Sequence, residues 1–548
     1  KSKPMKCFSR LNILISPEFM DPSAPLDVLR IRGKCSPTAK NVLPNIKSFD
    51  ESVVEHEEIE TFEATNMSML CLKCGNYIKL KSLQDHRALH EALVLFQYDF
   101  EAKPTSAQEL SRKRAALVKD LNERFRISRS AYSRKLGRID LAYEVIKSAI
   151  YGRSNKVQPP SFIEHHDVIV RSNRTKLTNG VALGASESTN EEWRSEMEDA
   201  YSFKYECSKG RPITYFAVFD GYSGVTAAKQ CADQFYQILK ETLPDVKVSN
   251  CIEDTHCNLF DFQKAFDNMD KVLLYGANET SRNRWSGCSA TTCMIVDGTL
   301  HVANVGNVKA ALIKGDGSSK TLTEDHTPAN KKEKHRIKAN GDIHKWSKTV
   351  WVNGVVMTTR GLGNHGDPIL KSSIVNVPAV CCVPLANIQV ILVASYGFWE
   401  VFDENEAVSL IRDWLKQHVS LLGGGIRNSV NSEINCSSSI EIIIQNEASL
   451  RTGPLDTINE PLEDLPGSDM SEQDSNCGTI LQSDEQDPAE ESLLSYLLRK
   501  IVKRYDVDFV AVEISKHLMQ AALTASAKDN ITVMTIIPCT GSTDDKIQ

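Results

Sequence analysis

The sequence lacks several features that would place it in a special class of protein. No apolar run reaches the ~18 residues of a transmembrane helix, so we expect no membrane association. The formal net charge of -7 on 548 residues is small and indicates no overall preference for nucleic acid or lipid. The start shows no signal-peptide pattern, and the 15 cysteines are scattered without a tight framework. We therefore expect mostly reduced thiols in an intracellular protein, in the cytoplasm or the nucleus.

Two segments lack the composition of a folded core. Residues 1–67 show no hydrophobic periodicity and combine several prolines with an acidic patch, which predicts a disordered arm. Residues 421–491 form the second segment, because no lysine or arginine occurs between Thr452 and Glu491 while acidic residues are frequent. We expect an acidic disordered insertion there. The whole chain is 41% hydrophobic and 25% charged, a composition typical of globular proteins, and its 548 residues predict more than one structural unit.

Residues 68–92 carry the pattern C-x2-C-x11-H-x3-H, formed by Cys71, Cys74, His86 and His90. Two thiolates on a tight turn and two imidazoles one helical turn apart can close a tetrahedral zinc site. The central spacing is one residue shorter than the usual ~12. The pattern predicts a C2H2-like zinc finger with Leu83 and Tyr77 beneath it. The alternative is a helix with two surface histidines near two ordinary cysteines.

Residues 104–156 predict a basic helical region. The sequence Ser106-x-x-Glu109 is a capping box, and leucines follow at helical spacing. Lysines and arginines outnumber the acids here. Beside a zinc finger this composition suggests a nucleic-acid surface. The simpler interpretation is a solvated basic face on a helical hairpin, since a lone finger contacts too little DNA for specific binding.

Residues 165–540 combine strand-like and helix-like runs. Strands occur in groups and helices in pairs, which predicts the α+β class with antiparallel sheets. The expected strands include Val355–Thr359, and the sequence Asp403-x-x-Glu406 predicts the start of a helix.

One stretch, Phe216–Gly224, combines a buried apolar strand with a carboxylate at its end. Asp220 on a rigid strand end suits a hard metal ion, and Gly221 would let its carbonyl approach that ion closely. The alternative for this stretch alone is an ordinary Asp-Gly turn in a sheet.

Further motifs support the metal interpretation. Together with that stretch they are Glu191–Ala200, Gly287–Thr292, Ala303–Asn307, Leu322–Pro328, Thr359–Asn364, Ala394–Glu400 and Lys528–Val533. Their order and spacing resemble the motifs of the protein phosphatase 2C family, the metal-dependent PPM-type serine/threonine phosphatases. The resemblance extends over about residues 169–538 and implies a central antiparallel β-sandwich flanked by helix pairs. It places the site in a cleft at one edge of the sheets.

The resemblance also implies roles for five residues. Two Mg²⁺ or Mn²⁺ ions would turn a bridging water into a hydroxide that attacks the phosphate in line. Asp220 would bridge the ions, Glu198 and the Gly221 carbonyl would serve one ion, and Asp529 the other. Arg194 would bind the phosphate through its fork of N–H donors. The simpler alternatives are a surface role for Arg194 and a loop-capping role for Asp529.

Four positions depart from the family pattern. Tyr396 replaces an aspartate ligand, and a neutral phenol is a poor ligand for Mg²⁺ or Mn²⁺. Asn307 replaces the aspartate associated with a third ion, and Asn364 replaces the aspartate of a Gly-Asp pair. Tyr222 replaces a histidine, which weakens proton donation to the leaving alkoxide.

These departures lead to three functional hypotheses. The favoured one is a catalytically impaired or inactive phosphatase-like protein that binds a phosphoprotein or another protein partner. The second is a slow Mg²⁺- or Mn²⁺-dependent serine/threonine phosphatase. The third is a zinc-finger adaptor for nucleic acid whose larger domain is a scaffold.

Overall fold

Two antiparallel sheets face each other at the centre of the computed structural model. The structure describes residues 54–62, 67–99, 104–124, 129–151, 168–175, 180–208, 211–242, 259–276, 282–346, 349–423 and 493–538. All of these residues belong to a single compact unit.

The strands, in chain order, are β1 (Val54–Phe62), β2 (Ser68–Leu70), β3 (Tyr77–Lys79), β4 (Val168–Thr175), β5 (Val181–Ser188), β6 (Ala200–Ser208), β7 (Arg211–Tyr222), β8 (Gly287–Val296), β9 (Thr299–Val305), β10 (Lys309–Lys314), β11 (Ser319–Thr321), β12 (Ile343–Trp346), β13 (Thr349–Val352), β14 (Leu362–Gly363), β15 (Ala379–Pro384), β16 (Ile388–Ala394) and β17 (Ile531–Pro538).

The helices are α1 (Leu83–Leu95), α2 (Ala107–Arg124), α3 (Arg129–Tyr151), α4 (Thr226–Thr242), α5 (Leu259–Tyr275), α6 (Lys331–Asn340), α7 (Pro368–Ser373), α8 (Tyr396–Trp399), α9 (Glu404–Gly423), α10 (Leu493–Val502) and α11 (Val507–Thr524). Within these described elements, no helix combines the length and apolarity needed to cross a bilayer.

One sheet has the order β1-β4-β5-β17-β16-β10-β11, and the other has the order β15-β9-β8-β7-β6 with β14 paired to β8. The strand β7 lies between β6 and β8, and Asp220 pairs with Ser289. Since alternate side chains of a strand point to opposite faces, β7 serves two cores. Phe216 and Val218 face the other sheet, while Tyr215 and Phe219 face a helix layer.

Helices cover both outer faces of the sandwich. The helices α4 and α5 pack on the sheet that contains β7, where Phe235 and Phe266 are fully buried. The helices α9, α10 and α11 pack on the other sheet through residues such as Trp414, Leu497 and Leu518. The predicted α+β class, with an antiparallel β-sandwich flanked by helix pairs, is confirmed.

Three local expectations differ from the structure. The strand β1 lies inside segment 1–67, where the sequence predicts a disordered arm, because its backbone pairs with β4 more than 100 residues later along the chain. Val355–Thr359 is not a strand; only an isolated bridge joins Val352 to Val356 there. The predicted insertion lies outside the described residues, except that residues 421–423 complete α9.

A zinc-finger-like region precedes the sandwich. The hairpin β2–β3 leads through the short 3-10 turn Leu80–Ser82 into α1, which carries both predicted histidine ligands. Leu83 is buried as expected, but Tyr77 is mostly exposed, so the expectation that it forms the core beneath the finger is wrong. The helices α2 and α3 form the predicted hairpin and share an apolar core with the C-terminal half of α1.

A buried carboxylate ties α6 to the segment that leads into β14. Glu333 accepts hydrogen bonds from the Arg360 side chain at 2.6 Å and from Arg336 at 3.0 Å. The Thr359 hydroxyl donates to it at 2.7 Å. Burial alone would raise the pKa of Glu333, but these hydrogen bonds outweigh burial and lower the pKa to about 2.

We predict that Glu333→Gln destabilises the fold by ~3–5 kcal/mol at neutral pH, because it leaves two half-buried guanidinium groups without the buried carboxylate that pairs with them. The depressed pKa means that this contribution is present above the ordinary value of 4.5 and is lost as the pH falls toward 2. Urea unfolding of both proteins across this pH range measures the difference.

A matched control is Glu123→Gln, which removes the exposed Lys119–Glu123 ion pair on α2. Exposed pairs contribute at most ~1 kcal/mol. Equal effects of the two substitutions at neutral pH, or an effect of Glu333→Gln that does not shrink in acid, would contradict the prediction.

Candidate functional site

Asp220 reaches the end of β7 as a buried carboxylate. One of its oxygens accepts a 2.8 Å hydrogen bond from the backbone N–H of Tyr396, at the start of α8. Burial raises the pKa of Asp220, and the neighbouring carboxylates Asp199 and Asp529 raise it further. A charged form of Asp220 therefore needs a nearby cation or several hydrogen-bond donors.

Gly221 is required for a close approach of two chain segments. A Cβ atom at this position would lie 2.1 Å from the carbonyl oxygen of Glu198. No side chain fits at that distance. Because glycine has none, the segment before β6 can lie against the end of β7. The predicted pair Asp220 and Glu198 is thereby brought to one edge of the sheet.

Glu198 is fixed by protein groups on both its backbone and its side chain. Its backbone N–H donates to the side-chain oxygen of Asn530 at 2.9 Å, and its carboxylate accepts from the N–H of Gly224 at 2.6 Å. Gly224 lies just before α4, so the carboxylate faces the positive end of that helix. Burial raises the pKa of Glu198.

Arg194 and Asp529, predicted to bind phosphate and metal respectively, form an ion pair with each other. The guanidinium lies 2.9 Å from one carboxylate oxygen of Asp529. Burial raises the pKa of Asp529, and Arg194 acts in the opposite direction. The Arg194 side chain, 38% exposed, thus pairs with a half-buried carboxylate of the predicted site.

Asn530 holds the segments of this site together. Its side-chain N–H groups donate to the carbonyl oxygens of Thr189 at 2.7 Å and Glu196 at 3.1 Å. Its side-chain oxygen accepts from Glu198 as described. Asp529 is therefore positioned by its neighbour, through contacts that join the loop before β17 to the loop before β6.

Sequence reasoning missed Asp199, which directly follows Glu198. Its carboxylate is buried, and it accepts a 2.9 Å hydrogen bond from the Thr532 hydroxyl. Burial raises the pKa of Asp199 to about 7. The sequence did hold a signal for Asp199, because it lies directly after the candidate ligand Glu198 and directly before the strand β6. A carboxylate in that position is itself a candidate site residue.

Three of the side chains that depart from the family pattern form hydrogen bonds with other protein side chains. The Tyr222 hydroxyl donates to the side-chain oxygen of Asn364 at 2.9 Å, so two of the replacements bond to each other. Asn307 accepts from the Ser289 hydroxyl at 2.9 Å. Burial raises the pKa of Tyr396 to about 12 and that of Tyr222 further still. Both phenols are neutral at physiological pH.

The acidic site does not form a compact ligand set. Within the described residues, the group of three or more potential ligands whose donor atoms all lie within 4.8 Å of one another is Cys71, Cys74, His86 and His90. Glu198, Asp220 and Asp529 lie at the same sheet edge without converging this closely. Arg194 already pairs with Asp529, and the neutral phenol of Tyr396 stands where the family resemblance implies an aspartate, so these carboxylates do not form a complete ligand set for two Mg²⁺ or Mn²⁺ ions.

The four Cys and His ligands have a geometry suited to zinc. The sulfur of Cys71 lies 3.4 Å from Nε2 of His90, and that of Cys74 lies 3.6 Å from Nε2 of His86. A tetrahedral zinc site with ordinary bond lengths has sulfur–nitrogen separations of ~3.5 Å. The two Nε2 atoms are 2.8 Å apart, somewhat closer than the ~3.3 Å of such a site.

Basic side chains of the helical hairpin make contacts within the hairpin region. The Lys113 ammonium donates to the carbonyl oxygens of Phe96 and Gln97, and Arg114 pairs with Asp140 at 2.5 Å. These two cations are therefore compensated by neighbouring protein groups.

Comparisons with known proteins agree with the motifs. Residues 183–428 match the sequence profile of the family Protein phosphatase 2C. The chain is 28% identical over 588 residues to the human Protein phosphatase 2C-like domain-containing protein 1, covering 88% of this chain and 90% of that protein. It is 34% identical over 224 residues to Probable protein phosphatase 2C member 13, mitochondrial, from Oryza sativa subsp. japonica, covering 40% of this chain and 56% of the relative.

A solved serine-threonine phosphatase 2C from Toxoplasma gondii superposes with a TM-score of 0.40 at 15% identity, covering 66% of this chain and 96% of that one. The profile match and the long alignment to the human relative agree with the order of the motifs along the sandwich. Residues 183–428 therefore match the protein phosphatase 2C family, and this stretch includes Asp220.

Proposed function

We propose that the phosphatase-like domain is catalytically impaired or inactive and acts by binding a phosphoprotein or another protein partner. The observation that carries this proposal is the 2.9 Å ion pair between Arg194 and Asp529. It pairs the cation expected to hold phosphate with a carboxylate expected to hold metal. Productive metal and phosphate binding would both have to compete with this contact.

The environment of Asp220 supports the same proposal. Its hydrogen bond from Tyr396 uses a carboxylate oxygen that a bridging ligand would offer to an ion. The residue that provides this bond stands where the family has an aspartate, so a negative charge is missing at the same place. Fewer charged ligands lower the affinity for hard divalent ions.

The expected proton donor is also unfavourable. The Tyr222 hydroxyl donates a hydrogen bond to the side-chain oxygen of Asn364. Burial raises the pKa of Tyr222, and the ordinary pKa of a tyrosine is already far above neutral. A general acid works best when its pKa lies near the working pH. The leaving alkoxide would therefore receive little help from this position.

We predict that the full chain releases no more phosphate from a phosphothreonine peptide at millimolar Mn²⁺ than its Asp220→Asn variant does. The physical reason is the incomplete ligand set, since losing ligand interactions costs orders of magnitude in activity. Phosphate release measured with and without Mn²⁺ tests this prediction, with an active family member as a positive control. Mn²⁺-dependent release that Asp220→Asn abolishes would instead establish the alternative, a slow Mg²⁺- or Mn²⁺-dependent serine/threonine phosphatase.

We predict that Tyr396→Asp raises the affinity for Mn²⁺ by ~10-fold or more, because it restores a carboxylate at the edge that holds Asp220 and Asp529. Isothermal titration of the full chain with Mn²⁺ measures this change. The matched control is Tyr275→Asp, at a tyrosine that is 80% exposed at the end of α5. If all three proteins bind Mn²⁺ equally, Tyr396 does not limit metal binding.

We also propose that Cys71, Cys74, His86 and His90 bind one zinc ion. The support is the near-tetrahedral spacing of their donor atoms and the softness of the two thiolates, which favours zinc over Mg²⁺ or Mn²⁺. The sites for hard and soft metals are then separate, and each can be tested without the other.

We predict that the purified chain contains one zinc ion and that Cys74→Ser lowers its zinc content to near zero, because a structural site needs all four ligands. Elemental analysis measures the zinc, and Co²⁺ substitution adds a thiolate charge-transfer band as a second readout. The control is Cys207→Ser, since Cys207 is exposed and free. Zinc retained in Cys74→Ser would rule out this ligand set.

A further inference from the structure

The finger (residues 67–95) shares its apolar core with the phosphatase-like domain. Met69, Leu80 and Leu83 are almost completely buried and belong to the same hydrophobic cluster as Ile411 and Leu518 of the helix layer α9–α11. A segment of about 30 residues rarely buries a sufficient core of its own. The finger obtains that core from the larger domain.

Polar contacts accompany this apolar interface. Arg87 on α1 forms a 2.5 Å ion pair with Glu406 at the start of α9, and both side chains are less than one third exposed. The Tyr77 hydroxyl lies 3.5 Å from a carboxylate oxygen of Asp413, which lies about two helical turns after Glu406 in α9. The Thr524 hydroxyl contacts the sulfur of Met67 at 3.6 Å. These contacts lie in the first half of α9 and at the end of α11.

The opposite end of α1 packs elsewhere. Leu93 and Phe96 are buried against Leu110 and Ile146 of the helical hairpin α2–α3. The finger therefore connects the hairpin to the phosphatase-like domain. The C-terminal end of α1 packs on the hairpin, and its N-terminal end packs on the phosphatase-like domain, where Arg87 pairs with Glu406 of α9.

The four proposed zinc ligands lie on the two segments that carry the apolar anchors. Cys71 and Cys74 follow Met69 at the end of β2, while His86 and His90 follow Leu83 on α1. A bound ion would tie these segments together directly. Since structural zinc contributes folding free energy, it would also hold the anchors in the arrangement that fits α9.

We propose that the zinc site is a clamp that docks the finger onto the α9–α11 face and thereby stabilises the phosphatase-like domain. This inference rests on the zinc proposal above. It assigns α9 and α11 as an intramolecular docking surface. A finger docked in this way cannot lay α1 in a DNA major groove without first breaking the contact between Arg87 and Glu406.

Hydrogen exchange of the full chain, with zinc and after chelation, tests the clamp. We expect chelation to speed exchange by ~10-fold or more in residues 67–95 and in α9, because released anchors expose the backbone of α9 to local opening. The internal control is the α4–α5 layer, which packs on the other sheet and should keep its exchange rates.

The outcomes separate the two proposals. If no zinc is bound, both the zinc site and the clamp are wrong. If zinc is bound and its removal changes exchange only within the finger, the zinc site stands and the clamp is overturned. Faster exchange in α9 together with unchanged α4–α5 supports the clamp.

A charge-reversal series adds a test that leaves the zinc ligands intact. Arg87→Glu places two carboxylates against each other and should speed α9 exchange at full zinc content. The double variant Arg87→Glu/Glu406→Arg should restore slow exchange. The matched control is Arg112→Glu, at an exposed arginine of α2. Unchanged α9 exchange in Arg87→Glu, or an equal effect of Arg112→Glu, would overturn the docking mode.

Discussion

A carboxylate that a buried strand carries to the edge of a sheet must be compensated there, and this constraint governs the candidate site. Asp220 ends a strand whose two faces are covered by the second sheet and by a helix layer. Asp199 and Asp529 lie close enough to raise its pKa further. Either cations or N–H donors have to neutralise such a group of acids. In this chain the described compensation comes from the guanidinium of Arg194 and from backbone N–H groups.

The substitutions at the family positions form a consistent set. Tyr222 and Asn364 hydrogen bond to each other, and Asn307 accepts from Ser289. The family resemblance implies a histidine and an aspartate at these two positions, whereas this chain has a neutral phenol and a neutral amide there. A buried polar network in which each member finds a partner is compatible with a stable fold. At these positions the site is therefore held by hydrogen bonds between protein groups, and this arrangement is one support for the proposed binding role.

Short sequence patterns predicted much of the fold. Contacts between segments that are far apart in the sequence could not be predicted from such patterns. The strand β7 and the capping box at Asp403 and Glu406 follow from short sequence patterns, and the structure shows both reciprocal hydrogen bonds of that box. The metal-ligand spacing of the finger follows in the same way. The strand β1 could not be predicted, because its pairing with β4 links distant segments. The contact between Arg87 and Glu406 could not be predicted for the same reason, because the two residues are 319 positions apart in the sequence.

The same apolar cluster reaches from the finger to the site. Met69 and Leu80 share it with Phe398 and Trp399 of α8, and α8 begins with the residue whose N–H binds Asp220. Protein cores are packed too densely for one wall to move while the others stay in place. The position of the finger and the position of the Tyr396 backbone are thus constrained by one set of contacts. In the proposed binding role, this connection would link the cleft around Asp220 to the finger.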